Sequence, residues 1–126
     1  MAAVGHVEQP APIVTGGPSI QGMVCADLAQ MASPVARLVE ADMRERERIG
    51  IARYGTPLQA HNGRDARWDA YEEFLDGAAY LRQDVEEAPS GPDAERIDAL
   101  YKRALMIAFA LREIMSRRDG GSDVAV

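Results

Sequence analysis

The sequence has one cysteine, an acidic charge balance and no long hydrophobic run, and each shortage excludes a class of protein. Cys25 is the single cysteine among 126 residues, so no disulfide forms within the chain and a reducing compartment such as the cytoplasm is expected. The longest apolar run, residues 104–111, is far shorter than the roughly 20 residues of a membrane span. With 14 basic and 20 acidic residues, the net charge of −6 argues against binding duplex DNA or RNA.

The two ends of the sequence are poor in apolar residues and rich in proline and glycine. Residues 1–22 contain Pro10, Pro12 and Pro18, and residues 119–126 have the sequence DGGSDVAV. We expect both ends to be flexible, so residues 23–118 are predicted to form the folded domain. A single domain of about ninety residues is close to the size at which one core is marginal, which favours self-association.

Capping and turn residues divide this domain into helices. One helix is predicted to begin after Ser33 and to run to about Arg48, with an extension or a bend over the residues up to Tyr54 before Gly55 stops it. A second begins after Asp65 and ends before Pro89, and a third runs from Asp93 to about Arg117. A shorter helix is predicted just ahead of Ser33. Because no stretch alternates like a strand, we expect an all-α protein, an antiparallel bundle of three to four helices per chain that is completed by oligomerisation.

The first long helix has an acidic residue on its apolar face. With about 100° between successive residues, one stripe is formed by Val35, Leu38, Val39 and Ile49, and Asp42 lies in its middle. Burying an unpaired carboxylate costs on the order of several kcal/mol. We therefore expect Asp42 to have a partner, either a base such as Arg46 or a metal ion.

The third long helix is apolar on nearly all sides. Ile97, Ala104, Leu111 and Ile114 lie on one side, while Leu105, Met106 and Phe109 cover much of the other. A helix of this kind is usually buried all round. The sequence therefore predicts that this helix packs against a second copy in a dimer or tetramer.

Two pairs of carboxylates are spaced three residues apart on helices. They are Asp42 with Glu45, and Glu73 with Asp76 within an acidic stripe that also contains Asp69 and Glu72. This spacing places both side chains of a pair on one side of a helix, where they can share a hard cation such as Mg²⁺ or Mn²⁺. A metal ion held there can also bind a triphosphate. The simpler alternatives are a solvated acidic face for Glu73 and Asp76, and an ion pair with an arginine for Asp42.

The same segments resemble a known family. The helix Asp69-Ala-Tyr-Glu-Glu-Phe-Leu-Asp76 is similar to the Glu-x-x-Asp helix of the all-α nucleoside triphosphate pyrophosphohydrolases, the MazG-like group. The runs from Asp42 to Gly50, Arg53-Tyr-Gly-Thr-Pro-Leu-Gln59 and Asn62-Gly-Arg-Asp65 resemble small MazG-like proteins of bacteriophages. The resemblance covers residues 41–87.

This resemblance implies hydrolysis of a nucleoside or deoxynucleoside triphosphate to a monophosphate and pyrophosphate, with Mg²⁺ or Mn²⁺ held by acidic pairs on two helices. Glu73 and Asp76 match the second pair. The first pair of the family is Glu-x-x-Glu, whereas this sequence has Asp42-Met-Arg-Glu45, so the first side chain is shorter by one methylene. A host cytoplasm is the expected location if a phage encodes the chain.

Other candidate roles follow from the chemistry of this reaction. Arg53 and Arg64 are candidates for triphosphate binding, because guanidinium groups pair with phosphate oxygens. Asn62 is a candidate for contacting a base or a phosphate, and Tyr80 for stacking on a base. Glu72 and Asp69 are candidates for accepting the proton of the attacking water. The alternative function is a non-catalytic helical oligomer that binds a protein or sequesters a nucleotide.

Overall fold

The computed structural model describes residues 8–118, which form four α-helices and no strand. The helices are α1 (Ile20–Ala29), α2 (Pro34–Tyr54), α3 (Ala66–Glu87) and α4 (Ala94–Arg118). The prediction of an all-α chain is therefore confirmed. They belong to two compact units, α1 and α2 within Met1–Arg64 and α3 and α4 within Asp65–Val126. The predicted flexible tail, residues 119–126, lies outside the described residues.

The ends of the helices follow the capping residues. Gly55 ends α2 in the left-handed conformation, with φ of 76°, which costs glycine little because it has no Cβ. The Asp65 side chain accepts a hydrogen bond from the backbone N–H of Trp68 and so caps the start of α3. Ser33 occupies the cap position of α2, and Pro34 follows it at the first helical position, although the Ser33 side chain makes no capping hydrogen bond.

In the first unit α1 and α2 run antiparallel. The Ser19 hydroxyl, at the start of α1, donates to the carboxylate of Glu47, which is near the end of α2. In the middle of the pair, the Cys25 thiol lies 3.7 Å from the carbonyl oxygen of Glu40. Cys25 is fully buried here, since the short side chain of Ala36 leaves room for close packing of the two helices.

The face of α2 that packs against α1 is not the face predicted from its apolar stripe. The less accessible residues of α2 follow one another at helical spacing: Ala36, Glu40, Met43, Glu47 and Gly50. The predicted stripe is exposed instead, with Leu38 at 65% and Ile49 at 40% of full accessibility. Asp42, in its middle, is therefore exposed as well. The prediction that Asp42 lies on a buried face and needs a partner for that reason is wrong for the single chain.

In the second unit α3 and α4 also run antiparallel. Arg118 at the end of α4 forms an ion pair of 2.7 Å with Asp65 at the start of α3. Near the other end of the pair, the guanidinium of Arg82 lies 5.9 Å from the centre of the Tyr101 ring. The residues buried in this unit are mostly small: Ala78, Ala104, Ala108 and Met115.

The sequence predicts an apolar arc on α3 made of Tyr71, Phe74, Leu75, Ala78, Leu81 and Val85. Ala78 is buried and Tyr71, Leu81 and Val85 are half-buried, whereas Phe74 and Leu75 are exposed.

Large hydrophobic side chains remain exposed on two sides of α4. One side carries Leu105, Met106 and Phe109, and the other carries Leu100, Ile107 and Ile114. The sequence predicts that this helix is apolar on nearly all sides. In the structure, exposed apolar side chains flank its buried face on both sides. Within residues 8–118, no helix is both long enough and apolar enough to cross a membrane.

The segment ahead of α1 is ordered against the loop that follows α2. The backbone N–H of Ile13 donates to the carbonyl of Asn62 at 2.9 Å, and that of Ile20 donates to the carbonyl of Leu58 at 2.8 Å. The sequence predicts a flexible segment over residues 1–22, whereas these hydrogen bonds hold residues 13–20 in place. The helical domain therefore begins with α1 at Ile20, and the residues just ahead of it are part of the first unit.

Asp65 caps the start of α3 and forms an ion pair with the end of α4, so its removal is expected to destabilise the second unit. We expect Asp65→Ala to lower the free energy of unfolding by about 1 to 2 kcal/mol, because it removes both the helix cap and the ion pair with Arg118. Asp65→Asn retains a capping oxygen and is expected to cost less than the alanine variant. Urea denaturation of the three proteins measures the difference, and equal stability of Asp65→Ala and wild type would contradict this role.

The charge of Asp65 makes the stability of the second unit depend on pH. Burial acts to raise the pKa of Asp65, but the hydrogen bond from Trp68 and the Arg118 guanidinium outweigh it, so the folded-state pKa lies below the ordinary 3.8. A lowered folded-state pKa stabilises the fold at pH values above 3.8, and this stabilisation is lost as the pH falls through the folded-state value. The stability difference between wild type and Asp65→Asn should therefore shrink at acid pH.

Candidate functional site

The exposed face of α3 carries the acidic residues singled out above. Glu72, Glu73 and Asp76 are exposed, and Asp69, in the first turn of α3, is half-buried on the same stripe. They lie opposite Ala78, which α3 buries in its contact with α4. No hydrogen bond or ion pair is formed by Glu72, Glu73 or Asp76 within residues 8–118. Their negative charges are therefore not neutralised by the described part of the chain.

Tyr80 lies on this same face, one helical turn beyond Asp76. Its side chain is 70% accessible, although a tyrosine usually buries its ring where a partner is available. The flat ring next to the carboxylates is suited to stacking on a planar ligand.

The pair on α2 differs from the pair on α3 because one of its members is already bound. Arg48 donates to Glu45 through two nitrogen atoms, Nε at 2.9 Å and Nη2 at 2.6 Å. These hydrogen bonds, together with the positive charge of Arg48, lower the pKa of Glu45. Asp42 is exposed and has no such partner within residues 8–118. A cation can reach Asp42 directly, whereas it has to compete with Arg48 for Glu45.

The structure keeps each carboxylate pair on its own helix. Asp42 and Glu45 belong to the first unit, and Glu73 and Asp76 belong to the second. Among residues 8–118, no group of three or more histidine, cysteine, aspartate or glutamate side chains is arranged to hold a metal ion. The observed arrangement therefore supplies separate carboxylate pairs and not a complete set of ligands.

The predicted phosphate-binding residues differ in how available they are. Arg53 is exposed at the end of α2, with its guanidinium 5.1 Å from the centre of the neighbouring Tyr54 ring. The Nη1 atom of Arg64 donates to the carbonyl of Pro10 at 2.8 Å. Of these two arginines, Arg53 is the more exposed and its side chain forms no hydrogen bond or ion pair within residues 8–118, so it is the more available to a phosphate.

Asn62 is in a less accessible position than the sequence suggests. It is only 8% accessible, and its Oδ1 accepts a hydrogen bond from the backbone N–H of Arg64 at 3.1 Å. The neighbouring residue His61 has a positive φ of 61°, which is uncommon for a residue with a side chain. The Asn62 amide thus stabilises a tight turn, and its contact with a ligand is restricted.

Two buried polar residues of the same loop were missed by the sequence analysis. Thr56 and Gln59 are 7% and 6% accessible, and Gln59 bonds the segment ahead of α1. The partners of Gln59 ahead of α1, Thr15 and Gly17, are more than 40 residues away in sequence, so no local pattern indicates them. Thr56, in contrast, bonds Pro57 and Gln59 within the loop.

Comparisons with known proteins found no relative of this chain. No family model matches the chain, and no match is found among curated proteins or among solved structures.

The ion pair between Arg48 and Glu45 on α2 can be tested directly by replacing Arg48. We expect Arg48→Gln to raise the pKa of Glu45 back toward its ordinary value of 4.5, since the guanidinium that stabilises the carboxylate is removed. An NMR pH titration of the glutamate side-chain carboxyl carbons measures this shift. Arg82→Gln, which breaks a comparable exposed pair with Glu86, is the matched control and should leave Glu45 unchanged. An unchanged Glu45 pKa in Arg48→Gln would contradict the ion pair.

Proposed function

We propose that this chain hydrolyses nucleoside or deoxynucleoside triphosphates to a monophosphate and pyrophosphate in the presence of Mg²⁺ or Mn²⁺. The observation that carries this proposal is the exposed face of α3, where Glu73 and Asp76 lie one turn apart without a cationic partner in the described chain. Carboxylate oxygens are the ligands that these hard cations prefer. The resemblance to the MazG-like family supports the same assignment.

Glu73 and Asp76 are proposed as one pair of metal ligands, and Asp42 and Glu45 as the other. A divalent cation supplies neutralisation of phosphate charge and polarisation of the phosphorus atom when it is bound. An acidic protein needs such a cation, because its own carboxylates repel a triphosphate. On α2, Glu45 has to leave Arg48 before it can act as a ligand. Asp42 is therefore the more readily available ligand of this pair.

The remaining residues are proposed to bind substrate and to move a proton. Arg53 and Arg64 are proposed to pair with phosphate oxygens, and Tyr80 to stack on the base. Asn62, in the loop after α2, is proposed to contact the base or a phosphate. Water attacks the α-phosphorus, the bond from this phosphorus to the bridging oxygen breaks, and pyrophosphate leaves. Glu72 or Asp69, in the same stripe of α3, accepts the proton of the attacking water.

The proposed active form is a homo-oligomer, a dimer or a tetramer. Met106 and Phe109 are more than 60% accessible, and Leu38 on α2 is similarly exposed. Exposed large hydrophobic groups in this number favour association with another protein surface. The single cysteine is buried and free, which suits the reducing cytoplasm proposed as the location.

Release of pyrophosphate from each common ribonucleoside and deoxyribonucleoside triphosphate tests the proposed reaction. We expect pyrophosphate and the monophosphate to form in equal amounts with Mg²⁺ or Mn²⁺, and chelator to abolish both. The same assay would show which base and sugar are preferred. If a folded preparation releases no pyrophosphate from any of these substrates, the proposed reaction is wrong.

Two conservative substitutions test the ligands on α3. We expect Glu73→Gln and Asp76→Asn each to lower kcat/KM by about ten- to a hundredfold or more, because the loss of a group that only orients a metal ligand already costs about this much. Helix content measured by circular dichroism should be unchanged, since both side chains are exposed. Glu87→Gln, at the far end of α3 about three turns beyond Asp76, is the matched control and should retain wild-type activity. Full activity of Glu73→Gln or Asp76→Asn would remove that residue from the site.

A second function is favoured by the apolar surface of α4. Leu105, Met106 and Phe109 form an exposed group that is as suited to binding another protein as to self-association. In this alternative the chain is a non-catalytic module that binds a protein or sequesters a nucleotide. A folded oligomer that releases no pyrophosphate would favour it over the enzyme.

A further inference from the structure

The segment ahead of α1 and the loop after α2 form one hydrogen-bonded structure. We refer to residues 10–19 as the N-terminal strap and to residues 56–64 as the polar loop. The strap has no regular secondary structure, yet its backbone contacts the polar loop at positions more than 40 residues away in sequence. Ordering such a segment costs conformational entropy, so specific interactions must hold it in place.

Gln59 of the polar loop provides the central interactions. Its Oε1 atom accepts hydrogen bonds from the backbone N–H of Thr15 at 2.9 Å and from the Thr56 hydroxyl at 3.3 Å. Its Nε2 atom donates to the carbonyl of Gly17 at 2.8 Å. The residue is only 6% accessible, and both ends of its amide are satisfied. A buried amide with these partners fixes the strap and the loop relative to each other.

The strap in turn contacts an arginine of the polar loop. Nη1 of Arg64 donates to the carbonyl of Pro10 at 2.8 Å, and the backbone N–H of Ile13 donates to the carbonyl of Asn62. Pro10 and Pro12 restrict the backbone between these contacts, since the proline ring fixes φ. The position of the Pro10 carbonyl therefore depends on where Gln59 holds the strap.

We propose that Gln59 is a positioning residue for triphosphate binding, because it holds the strap whose Pro10 carbonyl orients the guanidinium of Arg64. This inference rests on the proposed function, in which Arg64 pairs with phosphate oxygens. Gln59 itself is buried and touches no substrate. Its effect on the substrate is proposed to pass through Arg64.

This role differs from a purely structural one in its effect on kinetics. A residue needed only for stability lowers the amount of folded enzyme, which reduces the apparent kcat and leaves KM unchanged. A residue that positions a phosphate-binding group weakens substrate binding and therefore raises KM. If Gln59 acts through Arg64, the effect of its substitution must disappear once Arg64 has been removed.

The test uses the full chain with Gln59→Met, which keeps the side-chain length and removes all three hydrogen bonds. We expect KM for the best triphosphate substrate to rise about three- to tenfold, as for the loss of one hydrogen bond to a binding group, with kcat within about twofold of wild type. In an Arg64→Ala background, Gln59→Met should change KM no further. Gln30→Met, an exposed substitution of the same kind at the end of α1, is the control and should match wild type.

A second variant tests the strap without changing the loop. Thr15→Pro removes the N–H that donates to Gln59 and leaves residues 56–64 intact, so it should raise KM in the same direction by a smaller factor. If Gln59→Met does not fold, the KM of Thr15→Pro alone tests whether the strap affects substrate binding.

Each outcome of these experiments bears on the inference. An active wild type with unchanged KM in Gln59→Met and Thr15→Pro would overturn it and leave the proposed function standing. A full effect of Gln59→Met in the Arg64→Ala background would overturn it too, because Gln59 would then not act through Arg64. A wild type without turnover would overturn both the inference and the proposed function.

Discussion

The helices of this chain pack against each other through small side chains. This packing determines which side chains are left on the surface. Ala36 lies at the contact of α1 with α2, and Ala78, Ala104 and Ala108 lie at the contact of α3 with α4. Alanine lets helix backbones approach closely but buries little apolar area for each residue. Many of the larger hydrophobic residues, among them Leu38, Met106 and Phe109, are consequently left exposed. The exposed acidic stripe of α3 is a result of the same arrangement, since it lies opposite the alanine contact.

This packing connects stability to function. A helix pair that buries mainly alanine gains modest hydrophobic stabilisation, so hydrogen bonds and ion pairs at its ends matter more. Asp65 with Arg118 performs this role in the second unit, and Gln59 with the strap performs it in the first. The exposed hydrophobic residues of α4 provide additional area that self-association can bury. The proposed oligomer therefore follows from the same constraint that exposes the carboxylates.

The sequence predicted the helices well because their boundaries depend on local chemistry. Pro34, Gly55 and Asp65 act on the backbone within one turn, so each is recognisable without knowledge of the fold. The packed face of α3 was predicted correctly in part, since Ala78, Leu81 and Val85 are less accessible while Phe74 and Leu75 remain exposed. On α2 the interpretation was wrong, because a stripe of larger residues competes with a face built around Ala36. Periodicity identifies both faces and cannot show which one another helix covers.

The candidate site was predicted less completely than the fold. The exposed positions of Glu73 and Asp76 follow from helical spacing, but the binding of Glu45 by Arg48 depends on a choice among several neighbouring arginines. The contacts of Gln59 and Arg64 with the strap join residues more than 40 positions apart. Such long-range contacts depend on the fold of the whole unit and leave no local pattern in the sequence.

The central claim is that the exposed carboxylates of α3 bind a divalent cation specifically. Titration of the ¹⁵N-labelled protein with Mn²⁺ tests it directly, because the paramagnetic ion broadens the amide signals of nearby residues. Asp84 and Glu87, a second exposed pair three residues apart on the same helix and about 12 to 16 Å from Asp76, form no ion pair within residues 8–118 and serve as an internal control of equal charge. We predict that the amide signals of Glu73 and Asp76 broaden at lower Mn²⁺ concentrations than those of Asp84 and Glu87. Equal broadening at both places would mean that Mn²⁺ binds to negative charge alone and would contradict the account.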